Sequence, residues 1–231
     1  MPLSKRYPSG FSDVLLEIYR RLYGHYGPQR WWPAETPWEV MAGAVLTQNT
    51  AWTNVEKALA NLKGAGALAP RALRELTHQE LAALIRPSGY YQAKASKLKA
   101  LAEFVGRYGD DLAGLFSEAT PGLREKLLEV HGIGEETADS ILLYAARRPV
   151  FVVDAYTRRI FSRLGLGPGG DSYRRWQGFF MEDLPHQEGL FNEYHALVVR
   201  HGKELCRKKP RCPPCPLKNL CAFFLSQNGV Y

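Results

Sequence analysis

The chain has 231 residues, 45% of them hydrophobic and 23% charged, with 30 Lys and Arg against 23 Asp and Glu for a formal net charge of +7. That composition suits one large or two small folded domains and excludes collagen, coiled coil and disorder. The basic balance favours a polyanionic partner, and the longest apolar runs, such as Met41–Leu46, fall far short of the roughly 18 residues that span a bilayer.

The opening MPLSKRYPSG lacks the apolar core of a secretory leader, so a cytoplasmic chain without a membrane partner is expected. From there, apolar residues recur every three or four positions: Val14-Leu15-Ile18-Leu22, Val40-Ala44-Val45-Leu46, Leu98-Leu101-Ala102-Val105, and Leu127-Leu128-Val130 followed by Ala138-Ile141-Leu142. Gly and Pro punctuate these runs at Gly24–Pro28, Gly64–Pro70, Pro87–Gly89, Pro121-Gly122, Gly132–Gly134 and Gly165–Gly170. The pattern predicts an all-α protein of about ten helices, each about 10–15 residues long. Pro149–Val153 is the one strand-like stretch, and a buried extended link explains it equally well. Pro149 also marks the expected domain break, because a helix cannot run through it. In the tail, Arg200, Lys203, Arg207, Lys208, Lys209, Arg211 and Lys218 stand against Glu204, which concentrates positive charge at one end.

Three motifs bear chemistry. Leu128–Asp139 sets a Gly132-Ile133-Gly134 turn between two helical patterns. Glycines admit positive φ and close backbone approach, and the following helix start presents unpaired N–H groups that can hold a phosphate. A plain helix–helix corner is the bland alternative. Asp154 follows about twenty residues later in Val152-Val153-Asp154-Ala155-Tyr156, where it can cap the next helix or serve as a catalytic carboxylate. Finally Cys206, Cys212, Cys215 and Cys221 lie within 16 residues in the order C-x5-C-x2-C-x5-C, with no cysteine upstream. Such clustering in a chain without an export signal reads as a metal site rather than a disulfide frame, with an iron–sulfur cluster favoured over zinc.

In that order, together with Leu46-Thr47-Gln48-Asn49-Thr50, Gly89-Tyr90-Tyr91-Gln92-Ala93-Lys94-Ala95 and His201-Gly202, these motifs resemble the endonuclease III superfamily of helix-hairpin-helix DNA glycosylases. The resemblance covers most of the chain. It is closest to the 3-methyladenine DNA glycosylase branch, in which Glu follows the G-I-G-x turn, and which has a tryptophan-rich start matched here by Trp31-Trp32-Pro33. It implies a six-helix barrel with the hairpin over residues 29–148. Residues 1–28 and 149–231 would form a second helical domain carrying a [4Fe–4S] cluster on Cys206, Cys212, Cys215 and Cys221, with the active site in a cleft between the two. The family spacing is C-x6-C-x2-C-x5-C, so the first loop here is one residue shorter.

The resemblance also implies roles. Asp154 would activate water or stabilise the oxocarbenium-like sugar. Glu136 occupies the catalytic hairpin position where bifunctional relatives keep a lysine that attacks the sugar, and a glutamate cannot form that imine. The chain is therefore expected to be a monofunctional DNA glycosylase of base excision repair, with strand-cleaving lyase activity weak or absent. Its substrate would be damaged bases in double-stranded DNA, with alkylated purines expected. Trp52, with Trp31 or Trp32, would stack the flipped cationic base, although each tryptophan also suits plain packing. Gln48 would enter the gap that the extruded nucleotide leaves. Gly132 and Gly134 of the hairpin, and Arg207, Lys208, Lys209 and Arg211, would contact DNA phosphates, with an affinity that falls steeply with salt. Lys94 and the Arg158-Arg159 pair are weaker phosphate candidates, His195 and His201 read as structural, and the protein is expected to act as a monomer. The rival expectations are a bifunctional glycosylase for oxidised pyrimidines and a non-catalytic iron–sulfur DNA-binding module.

Overall fold

A computed structural model describes residues 11–229, so the leaderless opening read from the first ten residues lies outside them. Every described element is helical, as the apolar spacing predicts. In chain order the α-helices are α1 (Phe11–Tyr26), α2 (Pro37–Leu46), α3 (Trp52–Gly64), α4 (Pro70–Glu75), α5 (His78–Leu84), α6 (Tyr91–Gly106), α7 (Leu112–Phe116), α8 (Thr120–Leu128), α9 (Glu135–Ser140), α10 (Ala155–Leu164), α11 (Tyr173–Met181), α12 (Glu188–Glu204) and α13 (Ala222–Gln227). The helices beyond the expected ten are short ones, such as α4, α5 and α7, whose five to seven residues are too few to show a period. Two of the breaks read from Gly and Pro lie inside helices. Gly24 sits within α1, and Pro121 lies in the first turn of α8, where its missing N–H is no loss.

The chain divides into two compact units, one running from Trp32 to Arg148 and the other formed by the described residues up to Trp31 together with Pro149 onward. In the Trp32–Arg148 unit, α2 is enclosed on all sides. Trp38 through Leu46 are all buried, as a helix apolar all round must be, and Trp38 is therefore a packing residue. Thr36 caps α2 by accepting from the Glu39 N–H, and Pro37 opens its first turn. Around α2 pack α3, α6, α9 and the π-helical turn Ile141–Ala145 that continues α9.

The two helices of the hairpin are tied by an ion pair. Arg124 of α8 donates through Nε and Nη2 to Asp139 of α9, at 2.7 and 3.1 Å, and Asp139 is fully buried. Removing the cation would strand a carboxylate without its charged partner, so Arg124→Ala is expected to lower unfolding stability by about 3 kcal/mol in urea melts.

In the other unit an aromatic cluster forms the core. Phe151 stacks on Phe180 at 4.1 Å between ring centroids, and Phe161, Phe191 and Tyr194 close round them. The strand-like Pro149–Val153 is a buried extended link; Gln177 Nε2 donates to the Phe151 carbonyl at 2.8 Å, and the Val153 N–H donates to Tyr173 Oη at 3.3 Å. The helices α10 and α12 cross closely because Gly202 has no Cβ, which would otherwise strike the ring of Tyr156.

Candidate active site and nucleic-acid interface

The hairpin turn depends on glycine at one of its two positions. Gly132 has φ +82°, and a Cβ there would collide with the stem of Lys97. Gly134, by contrast, is an extended residue at the start of α9 with open space beside it, so the helix start faces outward. Glu136 stands exposed in the first turn of α9, and its carbonyl accepts from Ser140 Oγ at 2.7 Å.

Gln48 lies against this turn. Its Nε2 donates to the Gly132 carbonyl at 3.1 Å and to Thr137 Oγ1 at 3.0 Å, while its Oε1 accepts from Lys97 Nζ at 2.5 Å. The side chain assigned to the DNA gap thus ties the end of α2 to the hairpin. Lys94, read as a phosphate contact, is only 2% exposed. Its Nζ donates to the Leu46 carbonyl at 2.8 Å, the Ser88 carbonyl at 2.7 Å and Thr50 Oγ1 at 3.1 Å, so it staples the segment between α2 and α3 and does not face solvent. Burial, helped by the nearby charge of Lys97, brings it down to about 8.

Of the tryptophans, Trp32 and Trp52 meet edge to face at 5.1 Å, and Tyr144 closes on Trp32 at 5.3 Å. Trp32 lies against Gly43 of α2, where an added Cβ would come within 3.1 Å of the indole. Tyr144 had no signal in the sequence. It is carried by the π-helical turn, a local widening of the helix that often marks a functional position. Trp31 belongs to the other unit and is partly exposed.

That second unit also holds Asp154, which is 9% exposed. Oδ1 caps α10, accepting from the Thr157 N–H at 2.7 Å and from Thr157 Oγ1 at 2.9 Å. Oδ2 lies 3.8 Å from His195 Nε2, so the histidine read as structural is a neighbour of the candidate carboxylate. Burial would raise the Asp154 carboxyl, yet His195 and the Thr157 donors outweigh it and hold the group below the ordinary carboxylate value.

The four cysteines line one small pocket, walled otherwise by Arg163, Leu205, Pro210, Arg211, Lys218, Phe223 and Phe224. None of the four is joined to another in a disulfide. Burial raises Cys212 and Cys221 and takes Cys215 to about 11. Among the described residues, no three of His, Cys, Asp and Glu stand close enough to hold a single metal ion. The loop between Cys206 and Cys212 is fastened through its backbone: Arg163 donates to the Arg207 and Lys208 carbonyls at 2.6 and 2.9 Å, Arg159 donates to the Cys206 carbonyl at 2.9 Å, and the Arg211 N–H closes back on Leu205 at 2.9 Å. Arg159 is thereby committed to the loop backbone. Arg207, Lys208, Lys209 and Arg211 are exposed on this fixed frame, Arg207 Nε donating to the Lys203 carbonyl at 2.7 Å.

The sequence profile of the HhH-GPD superfamily base excision DNA repair proteins matches residues 42–186. The chain belongs to that superfamily. Its similarity to a putative DNA repair glycosylase of Methanocaldococcus jannaschii is 46% identity over 211 residues, 90% of this chain and 96% of that protein. Endonuclease III of Thermotoga maritima is 30% identical over 190 residues, 81% of this chain and 84% of that one. Among solved structures, the H. pylori 3-methyladenine DNA glycosylase bound to 1,N6-ethenoadenine superposes with a TM-score of 0.73 at 30% identity, covering 82% of this chain and 97% of that chain. A trapped endonuclease III–DNA covalent intermediate shares the fold, with a TM-score of 0.79 at 21% identity over 95% of this chain and 99% of that one. The superfamily member described here has no helix, among the described residues, that is long and apolar enough to cross a membrane.

Proposed function

We propose that the protein is a monofunctional DNA glycosylase that hydrolyses the N-glycosidic bond of alkylated purines in double-stranded DNA. The observation that carries this reading is the state of Asp154: a carboxylate that stays charged although buried, with one oxygen spent on the α10 cap and the other beside His195. Such a group can oppose the positive charge that grows on the sugar as the bond breaks, or accept a proton from the attacking water. Glu136 supports the hydrolytic route, because a carboxylate at the exposed hairpin position has no amine with which to form an imine.

The base preference rests on Trp32, Trp52 and Tyr144. Their clustered rings offer π-faces to a flipped base, and an N-alkylated purine carries the positive charge that such faces attract by about 1–2 kcal/mol. The structural relative bound to 1,N6-ethenoadenine supports the same substrate class. The Gly132–Gly134 turn and the exposed Arg207, Lys208, Lys209 and Arg211 suit a phosphate backbone.

The four cysteines fit a [4Fe–4S] cluster. A cubane needs one sulfur per iron, spread round a cavity rather than converging on one point, and Cys206, Cys212, Cys215 and Cys221 line such a cavity with Phe223, Phe224 and Leu205 as apolar wall. When bound, the cluster would cross-link the loop that carries the four basic residues.

The test is to incubate the purified protein with duplexes carrying alkylated or oxidised bases, identify released bases by mass spectrometry and treat parallel reactions with borohydride. Release of alkylated purines without a trapped adduct is expected. A stable covalent adduct, or release of oxidised pyrimidines alone, overturns the reading.

A further inference from the structure

His201, read from the sequence as a structural residue, reaches two of the four cysteines. It lies in the last turn of α12 and is 1% exposed. Its carbonyl accepts from the Cys206 N–H at 2.8 Å, and its ring Nε2 stands 3.6 Å from Cys215 Sγ. The other ring nitrogen, Nδ1, meets Tyr26 Oη at 3.0 Å. Tyr26 ends α1 and is itself held in place, with the Arg200 guanidinium 4.9 Å over its ring and Arg200 Nη1 donating to its carbonyl at 3.3 Å. Cys206 also has a side-chain donor, Arg163 Nη1 at 3.3 Å, but that guanidinium fastens the loop backbone at the same time.

We infer that His201 sets the cluster's preference for its more reduced form by donating Nε2–H to the Cys215 sulfur, and that Tyr26 is the positioning residue that holds the imidazole in the donating tautomer. The inference rests on the iron–sulfur reading above. A sulfur bound to iron has given up its proton and can only accept, so the nitrogen that faces it must carry the hydrogen. In a neutral imidazole the other nitrogen is then an acceptor, and the Tyr26 O–H donates to it. An added electron places more negative charge on the sulfurs, and a buried N–H aimed at one of them stabilises that charge. A packing role alone would be indifferent to which nitrogen faces the cysteine. Here both are engaged, one by a hydroxyl anchored on another helix and the other by a cluster ligand.

Film voltammetry of the cluster-loaded protein, beside an anaerobic titration followed by visible absorption, tests this. His201→Leu removes the ring nitrogens and keeps the backbone carbonyl that holds Cys206. At a fixed potential its ratio of reduced to oxidised cluster should fall about tenfold, a one-electron midpoint lower by about 59 mV. His201→Gln offers an amide N–H near the place of Nε2 and should stay within about twofold of the parent. Tyr26→Phe keeps the imidazole without its anchor and should lower the ratio about threefold. A His201→Leu ratio within about twofold of the parent overturns the inference, as does a His201→Gln ratio as low as that of His201→Leu. Should His201→Leu fail to hold a cluster, Tyr26→Phe decides, and a ratio equal to the parent's overturns the inference. A parent that purifies with zinc, or without iron, means that the cluster reading has failed and the inference with it, rather than the hydrogen bond alone.

Discussion

Asp154→Asn is expected to slow base release about 100- to 1,000-fold with little change in melting temperature. The asymmetry follows from the two tasks of the side chain. Asparagine caps a helix about as well as aspartate, so the Thr157 donors keep an oxygen acceptor and α10 keeps its start. What disappears is the negative charge. A fixed charge or dipole aimed at a developing charge in a site shielded from water contributes about 3–4 kcal/mol to the barrier, which sets the expected range. Single-turnover release from a damaged duplex, beside a thermal melt of the same preparation, measures both. A rate within tenfold of the parent would remove Asp154 from the chemistry and leave it as a cap. The pH dependence follows with its sign. The folded carboxyl titrates below its ordinary 3.8, so its contribution to stability is complete above that value and fades only as pH falls through the lower folded one. Loss of activity well above pH 3.8 would therefore belong to another group.

Glu136→Lys is expected to create a borohydride-trappable adduct that the parent does not form. The position is exposed in the first turn of α9, so the longer side chain meets no packing obstacle. Replacing an acid by a base at the positive end of a helix is unfavourable by about 0.3–1 kcal/mol, small beside the stability of a folded domain. That same positive end disfavours the ammonium form and so raises the share of neutral, nucleophilic amine. A denaturing gel of borohydride-quenched reactions, with radiolabelled damaged duplex, reads the result as a shifted band. Trapping by the parent would mean that a native amine already reaches the sugar, and the water-only route would fall.

The legible parts of this chain are those in which neighbours in sequence are also partners in space. The Gly132–Gly134 turn, the Asp154 cap with Thr157 three residues on, and the four cysteines of a single loop each reveal themselves by spacing. The rest depends on groups brought together from afar. Lys94 looks like a surface cation until carbonyls from Leu46 and Ser88 close over it, and nothing near it in sequence announces a buried ammonium. Tyr144 reaches Trp32 from a π-helical turn that no periodicity reveals. His195 meets Asp154 across 41 positions, and Gln48 meets Gly132 across 84. The expected breaks at Gly24 and Pro121 misplace helix ends for a different reason, since a single punctuating residue yields to the packing of the helix that contains it.

The Lys94 staple makes the segment between α2 and α3 sensitive to alkali in a way a melting curve would hide. Three acceptors surround the ammonium, and a neutral amine has only two protons to offer, so above about 8 one contact in the seam loses its donor. Unfolded, the same amine holds its proton up to 10.5; between the two values the unfolded chain binds more protons, so the native state becomes more stable relative to it as the solution becomes more basic. Bulk robustness and local order at this joint therefore move in opposite directions with rising pH, and buffers chosen for shelf life would favour its slackened form.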